Sequence, residues 1–414
     1  MLGLYIHVPF CSAICNYCNF NRGLFDAALK ERYVDALIAE IRNAGLKPCA
    51  TSNRGIETST RGIETSTRGI ETSTRGAGLD PAVAQGFSPA KADTIYFGGG
   101  TPSLLEAEDV ACILGACDEA FDVARDREVT LEANPETVTQ SRLRAFGDAG
   151  VNRISLGVQS FREDELRRLS RLHTADRARQ ALANARSAAF DNVSLDLMMW
   201  LPEQSVAQWL ESVDAAIALA PEHLSLYLLE VYANAPLKED MARSRWSQAP
   251  DDDAAAMYLE AMERLEAAGL MQYEISNVAR PGRRSRHNLK YWMDGEWLGF
   301  GCGAHSTRAG VRWKNVASTE DYVGRIGRGQ PTAIDERRMT PDEALGDALF
   351  TGLRLVDGVD LDAMHRRYNV DVWARFGAEL EPFVDEGCLL HEGHRLRLTR
   401  RGMLLAHEVM TVFV

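Results

Sequence analysis

Short apolar runs alternate with amphipathic helical patterns along the first two thirds of the chain. The runs are brief and rich in aliphatic and β-branched residues, as strands are, and six of them read LGLYIHV, DTIYF, EVTLEA, NRISLGV, NVSLDLM and HLSLYLL. Each is followed by apolar residues three and four positions apart, which predicts helices over 27–44, 107–121, 140–149, 163–188, 206–219 and 252–268. Six strand–helix units in a row predict an α/β fold whose parallel sheet forms a partial (β/α) barrel.

One segment interrupts this alternation. The unit RGIETST is repeated three times between residues 54 and 74, with one apolar residue in seven, which is too few for a coiled-coil seam. The flanks of the repeat are rich in Gly, Pro, Ala and Ser. We therefore predict that 45–91 is a disordered insertion in the barrel and that it is dispensable.

The pattern changes again beyond residue 280. Residues 281–335 are rich in aromatic residues and glycine and have little periodicity. Residues 336–414 contain three helical patterns, a hairpin candidate (LLHEGHRLRL) and a last helix from Arg401. The predicted organisation is a partial barrel over 1–280, a connecting segment over 281–335 and a mostly helical, winged-helix-like domain over 336–414.

Composition narrows the classes of function. The chain has 414 residues and a net charge of −13, which disfavours general nucleic-acid binding. No apolar run is long enough for a membrane span, although peripheral contact with a membrane stays open, and the start MLGLYIHVPF lacks the features of a secretory leader. A cytoplasmic protein is expected, so its eight cysteines are interpreted as thiols or metal ligands rather than a disulfide framework.

Three of these cysteines lie close together directly after the first predicted strand. Cys11, Cys15 and Cys18 occur in CSAICNYC, at the strand end where βα proteins collect their chemistry. Three thiolates can hold three irons of a 4Fe–4S cluster and leave the fourth iron open to a small molecule. The alternative is a zinc site with a distant fourth ligand, in a zinc-stabilised interaction protein.

The spacing Cys-x3-Cys-x2-Cys, with an aromatic residue before the last cysteine, resembles the radical S-adenosylmethionine (SAM) superfamily. The resemblance implies that the open iron binds SAM and that a low-potential electron donor reduces the cluster, so that SAM is cleaved to a deoxyadenosyl radical. YFGGGTPSLL resembles the glycine-rich loop of that family, in which backbone N–H groups approach a carboxylate of SAM. The residues expected to contact SAM follow the strand ends or lie along the cofactor: Tyr5, Tyr17, Gly98, Gly99, Gly100, Thr101, Glu132, Gln159, Arg171 and Asp196.

YIHVPFCSAICNYCNF, GGGTPS, GVQSF and HNLKYW together resemble the branch that includes anaerobic coproporphyrinogen III oxidase and the haem chaperone group HemW. The oxidase group carries a further cysteine two residues after the triplet, where this chain has Phe20. The resemblance therefore favours a haem chaperone, which binds a 4Fe–4S cluster, SAM and haem and passes haem to an acceptor protein. The alternative is an oxygen-independent coproporphyrinogen III oxidase of porphyrin biosynthesis, an enzyme activity that Phe20 disfavours.

HNLKYW supplies candidate haem contacts. His287 could be an axial ligand of haem iron, and Tyr291 and Trp292 offer flat surfaces to a porphyrin. The preceding run RPGRRSRH offers arginines to the haem propionates. A histidine among aromatic residues is more often a core residue, however, and a basic run is more often a solvated surface. Cys302 and His305 could also reach iron, although a small buried residue is the simpler interpretation of Cys302.

One turn departs from the family pattern. Trp200 and Glu203 stand in MMWLPEQS, where relatives carry two glycines. Since residues other than glycine adopt left-handed backbone reluctantly, we expect the turn to avoid it and the indole to lie near the cofactor face.

Overall fold

The structure is a computed structural model that describes residues 1–45, 89–233 and 235–414. The first long helix ends at Gly45 and the next strand begins at Lys91, so two regular elements flank the predicted insertion. The repeats themselves, and with them the prediction that the insertion is disordered, lie outside the described residues.

The described strands form one large sheet and two small ones. In chain order they are β1 Leu2–Val8, β2 Phe10–Cys11, β3 Gly23–Leu24, β4 Lys91–Gly99, β5 Asp122–Ala133, β6 Arg153–Gln159, β7 Val193–Met199, β8 His223–Leu228, β9 Met271–Glu274, β10 Asn277–Ala279, β11 Trp297–Phe300, β12 His305–Arg308, β13 Val311–Asn315, β14 Ala333–Arg338, β15 Val359–Asp360, β16 Leu389–Glu392 and β17 Arg395–Leu398. The large sheet contains β1, β4, β5, β6, β7 and β8 side by side, each parallel to the next. The six predicted units and the α/β class are confirmed.

Helices follow these strands as the sequence pattern predicts. They are α1 Ala27–Gly45, α2 Ala107–Ala120, α3 Gln140–Asp148, α4 Glu163–Arg168, α5 Ala175–Ser187, α6 Val206–Ala218, α7 Pro236–Ser244, α8 Asp251–Ala267, α9 Arg286–Trp292, α10 Thr319–Gly327, α11 Pro341–Gly352, α12 Leu361–Tyr368, α13 Val372–Asp385, α14 Arg400–Leu404 and α15 Ala406–Met410. Side-chain caps begin several of them, among them Thr139 on α3 and Ser205 on α6. Within the described residues, no helix has the length and apolarity that crossing a bilayer requires.

The large sheet extends beyond the six units on both sides. β11 is parallel to β1, and β12, β13 and β14 continue from it in antiparallel order, while β10 and β9 continue beyond β8. The weakly periodic segment 281–335 therefore forms α9, three strands and α10. The last strand of this extension, β14, runs across the predicted boundary between 281–335 and 336–414.

The two faces of the parallel strands differ in character. Leu4, Ile6 and Val8 of β1 are fully buried in the hydrophobic core. Tyr5 and His7, on the other face, contact each other and other polar or aromatic side chains. Because side chains alternate along a strand, the helices cover an apolar face and the opposite face encloses a polar interior.

The C-terminal region combines helices with a small antiparallel sheet. The predicted hairpin is confirmed as β16 and β17, and β15 adds a third strand to it. The helical patterns correspond to α11, α12 and α13, and the last predicted helix begins at Arg400 as α14.

Candidate functional site

The three clustered cysteines lie in and after β2, at the carboxyl end of β1. Cys11 is buried and Cys15 and Cys18 are half-buried. The loop is held from outside by Asn16, whose Nδ2 donates to the carbonyl of Arg168 at 2.8 Å and to Oδ2 of Asp240 at 2.9 Å. The cysteine loop is thus anchored to the helices that follow β6 and β8.

Two side chains donate hydrogen bonds to the cysteine sulfurs. Thr101 Oγ1 lies 3.6 Å from Cys11 Sγ, and Arg171 Nη1 lies 3.4 Å from Cys15 Sγ. Burial raises the pKa of Cys11 and of Cys18, so a bound cation would favour their thiolate forms. Within the described ranges no three His, Cys, Asp or Glu side chains are grouped so as to hold a single metal ion. Three thiols on one loop, two of them facing donors, fit a cluster bound through thiolates.

The surface next to these thiols is apolar. Phe20, in the position of the oxidase group's further cysteine, is 67% exposed, and Ile14, Leu24 and Phe25 are exposed as well. Arg22 donates to the carbonyl oxygens of Cys18 and Phe20 and so fixes the end of the loop. Phe20 offers neither a ligand nor a hydrogen-bond donor at this position.

The glycine-rich loop ends β4 beside the cysteine loop. The backbone N–H groups of Gly99, Gly100 and Thr101 already have protein acceptors, which are Glu132 Oε2 at 3.3 Å, Val8 O at 2.7 Å and Phe10 O at 2.7 Å. A Cβ on Gly99 would lie 2.6 Å from the His7 ring, and one on Gly98 would lie 3.0 Å from the rings of Tyr5 and Tyr96. The glycines therefore let β4 pack directly against β1. Their contact with the carboxylate of SAM stays a prediction, and the hydrogen bonds of these N–H groups to protein acceptors would compete with that contact.

Two half-buried carboxylates face the polar interior. Glu132 accepts from the hydroxyl of Tyr96 at 2.7 Å, and Asp196 accepts from Ser155 Oγ at 3.1 Å. Burial raises the pKa of Glu132 to about 7, with the charge of Asp196 adding to the rise, and burial raises the pKa of Asp196 to about 6. Both are poised to ionise fully when a cation arrives.

Arg171 connects the cysteine loop to the strand ends. Its Nη2 donates to Asn134 Oδ1 at 2.8 Å and to the carbonyl of Gly157 at 2.7 Å, while Nη1 reaches Cys15. Gln159 lies beside this group, with its Nε2 3.2 Å from where a Cβ on Gly157 would be. Gln159 has left-handed backbone, with φ of 67°, and its buried Oε1 lacks a partner in the described part of the chain. A strained residue with an unsatisfied acceptor is typical of a ligand site.

Tyr5 and Tyr17, the two predicted aromatic contacts, lie in different places. Tyr5 stacks on Tyr96 with centroids 6.2 Å apart and reaches His7 Nδ1 at 3.3 Å, inside the barrel. Tyr17 packs against a small cluster that includes Leu169. Burial raises the pKa of both phenols, so both stay protonated.

His287 lies in the interior of the protein. It is 1% exposed, its Nδ1 is 2.9 Å from Thr94 Oγ1 and its Nε2 is 2.8 Å from the hydroxyl of Tyr291. Its ring stacks on Tyr96 at 5.1 Å. Burial, and then the charge of Lys290, lower the pKa of His287 to about 3. With both nitrogens engaged, His287 offers no lone pair to iron in this conformation, and its haem contact stays a prediction that the geometry does not favour.

The other candidates from this region are also engaged. Arg354 lies over the Trp292 ring at 4.3 Å, and Tyr291 packs edge-on against Trp297 at 4.7 Å. Three arginines of the run RPGRRSRH pair with carboxylates: Arg283 with Asp191, Arg284 with Asp357, and Arg286 with Asp93 and Asp126. The basic run is therefore largely neutralised.

Cys302 is fully buried, and Asn21 Nδ2 lies 3.7 Å from its sulfur, whereas His305 is exposed. The simpler interpretation of Cys302, as a small buried residue, agrees with this burial. The structure thus places Cys302 in the core behind the cysteine loop.

The expectation that the turn after β7 avoids left-handed backbone is wrong. Trp200 and Glu203 both adopt left-handed backbone, with φ of 62° and 60°. The turn is held by a neighbouring segment, since Trp200 Nε1 donates to the carbonyl of Ala249 at 2.8 Å and Glu203 Oε1 accepts from the N–H of Ser247 at 2.8 Å. These bonds offset the unfavourable backbone, and they turn the indole towards residues 247–250.

Sequence reasoning missed several residues of the site. Asn134 binds Arg171, Tyr96 binds Glu132, and Arg153 is 2% exposed in the same interior. Arg153 begins β6, and a charge at an inward-facing strand position is the signal that could have revealed it.

Comparison with known proteins agrees with this geometry. A profile of the radical SAM superfamily matches residues 82–216, and one of the HemN C-terminal domain matches 339–405. Heme chaperone HemW of Bacillus subtilis (strain 168) is 31% identical, over 100% of this chain and 99% of its own. A mitochondrial radical S-adenosyl methionine domain-containing protein 1 of Mus musculus is 34% identical, over 98% of this chain and 86% of its own.

Among solved structures, coproporphyrinogen III oxidase (HemN) of Escherichia coli has a TM-score of 0.80 at 20% identity, over 100% of this chain and 89% of its own. This likeness supports the fold, including the extension of the sheet and the C-terminal helices. The chain is similar to Heme chaperone HemW over its full length, and it has the cysteine triplet and a polar barrel interior. It therefore belongs to the HemW family of the radical SAM superfamily.

Proposed function

We propose that this protein is a haem chaperone on a radical SAM scaffold, which holds a 4Fe–4S cluster, SAM and haem and passes haem to acceptor proteins. The observation that carries the proposal is the similarity over the whole chain to proteins named Heme chaperone HemW. Phe20 supports it, because a phenyl ring cannot act as the thiol that the oxidase group carries at this position.

Cys11, Cys15 and Cys18 would hold the cluster, which supplies an electron to SAM when both are bound. Thr101 and Arg171 would stabilise negative charge on two of the sulfurs through the hydrogen bonds described above. Gln159, with its unpartnered Oε1, and Asn134 would orient the SAM molecule beside the loop.

The two interior carboxylates support a cationic ligand. SAM carries a sulfonium and an ammonium group, and positive charge nearby lowers the pKa of a carboxyl. Glu132 and Asp196 have raised pKa values of about 7 and about 6, so a bound cation would complete their ionisation. We infer that they attract SAM into the barrel.

The proposed partners are haem, a haem-accepting protein and a low-potential electron donor. The net charge of −13 argues against nucleic acid as a partner. A place in the cytoplasm, with peripheral membrane contact as an option, belongs to the same proposal.

The test is anaerobic reconstitution of the full chain with iron and sulfide, followed by titrations of one sample with SAM and with haem. Haem transfer is then measured as the rise of a haem-protein spectrum when an apo-acceptor is added. Binding of about one haem per chain and its transfer support the proposal. Turnover of coproporphyrinogen beyond one equivalent would contradict it in favour of the oxidase.

A further inference from the structure

A cleft separates α9 from the small C-terminal sheet. It has a volume of about 630 Å³, and its lining includes Leu289 and Met293 on one side, the loop 355–358 at the base, and Arg395 and Arg397 of β17 on the other. This volume lies within the range of roughly 300–1,000 Å³ usual for small organic ligands. The cleft lies on the side of the HNLKYW helix away from the buried His287.

The cleft is apolar in its centre. Leu289, Leu355 and Val356 are half-buried there, and Met293 is 63% exposed, although it directly follows the HNLKYW motif. A methionine side chain is flexible and polarisable, and an exposed one beside half-buried aliphatic residues is typical of a surface that packs against a ligand.

The rim of the cleft is charged, with an excess of one positive charge. Arg284, Arg395 and Arg397 line it together with Asp357 and Glu392. The ion pairs are exposed, at 3.4 Å for Arg284 with Asp357 and 3.2 Å for Arg397 with Glu392. Arg395 is 3.8 Å from its nearest carboxylate, that of Asp360. Exposed pairs contribute little stability, so an incoming carboxylate can take over the guanidinium groups at small cost.

We propose that this cleft is the haem seat of the protein, with Leu289 and Met293 against the macrocycle and Arg395 and Arg397 on the propionates. The inference rests on the proposed function, because it names the place of the haem that a chaperone carries. It also accounts for two observations together: the HNLKYW helix faces its histidine into the core, and the same helix presents Met293 to the cleft.

Paired variants of the full chain test the proposal by haem titration. Met293→Glu puts a charge against the macrocycle. Met271→Glu is its control, because Met271 is also an exposed methionine, 50% exposed where Met293 is 63% exposed. Arg395→Glu repels a propionate, and Arg179→Glu is its control, since the two arginine side chains are 44% and 42% exposed and each faces a carboxylate. Circular dichroism and iron content check that each variant is folded and loaded.

We expect Met293→Glu and Arg395→Glu each to raise the Kd for haem at least about tenfold, and each control to change it by less than about twofold. The proposal is overturned if the cleft variants bind haem as the unaltered protein does, or if the controls weaken binding equally. If the unaltered protein binds no haem, both the proposed function and the assignment of haem to the cleft fail. If it binds haem and the cleft variants do too, only the cleft assignment fails.

Discussion

Replacing His287 by alanine separates a role in the core from a role as a haem ligand. The imidazole is 1% exposed and hydrogen-bonded at both nitrogens, to Thr94 and Tyr291. Alanine leaves both buried hydroxyl groups without this partner, at about 1–3 kcal/mol each, and removes the stacking on Tyr96. We expect the free energy of unfolding to fall by roughly 4 kcal/mol, whereas loss of an exposed residue costs about 0.5 kcal/mol or less.

The pH dependence gives a second signature of the same burial. The pKa of His287 is lowered to about 3 in the folded protein, against about 6.5 in the unfolded chain. Between these values the unfolded chain binds a proton that the folded protein does not, so this group destabilises the fold as the pH falls. The contribution of His287 to the free energy of unfolding is complete above about pH 6.5, and it falls by about 1.4 kcal/mol for each pH unit below 6.5.

Urea unfolding at several pH values, with and without the substitution, measures both effects. His287→Gln is the matched control, because an amide can keep a donor and an acceptor towards Thr94 and Tyr291, and it should lose about half as much stability. Haem titration of the folded variants completes the test. An unfolding free energy within about 0.5 kcal/mol of the unaltered protein, together with haem affinity reduced more than about tenfold, would refute the reasoning.

Four further outcomes are expected. Glu132→Gln should raise the urea midpoint of the SAM-free protein near about pH 8. The pKa of Glu132 is raised to about 7 in the folded protein, so its carboxyl destabilises the fold as the pH rises from about 4.5 through 7. The same substitution should weaken SAM binding about tenfold, measured by calorimetry. Cys15→Ser should remove most iron and sulfide from reconstituted protein, whereas Cys117→Ser, at a buried cysteine outside the loop, should not. Trp200→Phe should lower the free energy of unfolding by about 1 kcal/mol through loss of its hydrogen bond, measured by urea unfolding. Deletion of 51–76 should leave iron content and haem titration unchanged, and loss of iron would contradict the prediction that the insertion is dispensable.

Local patterns predicted the barrel well because its units are local. Each strand is a short apolar run and each helix carries one apolar face, so the predicted helix 140–149 and the observed Gln140–Asp148 agree almost to the residue. The segment after residue 280 was not predicted as sheet, because β11 is held by pairing with β1 almost 300 residues earlier in the chain. Periodicity within a segment carries no information about such a partner.

The site shows the same division between local and distant information. The cysteine spacing and the strand-end positions of Glu132 and Asp196 could be read directly from the sequence, and the structure brings the two carboxylates into one interior. The burial of His287 could not be read from the sequence, because it depends on Thr94 and Tyr96 of β4, which is distant in the chain. The left-handed turn at Trp200 likewise depends on the distant carbonyl of Ala249.

The cysteine loop depends on chain that is made late. Asn21 Nδ2, at the end of that loop, donates to the carbonyl oxygens of Cys302 and Ala317 at 3.1 and 3.0 Å, and His7 holds the carbonyl of Asn21 at 2.8 Å. On a translating ribosome these acceptors emerge long after the loop itself. Before that moment the cysteine loop lacks these two hydrogen-bond acceptors, so we expect iron–sulfur insertion to follow the emergence of residues 302–317 from the ribosome.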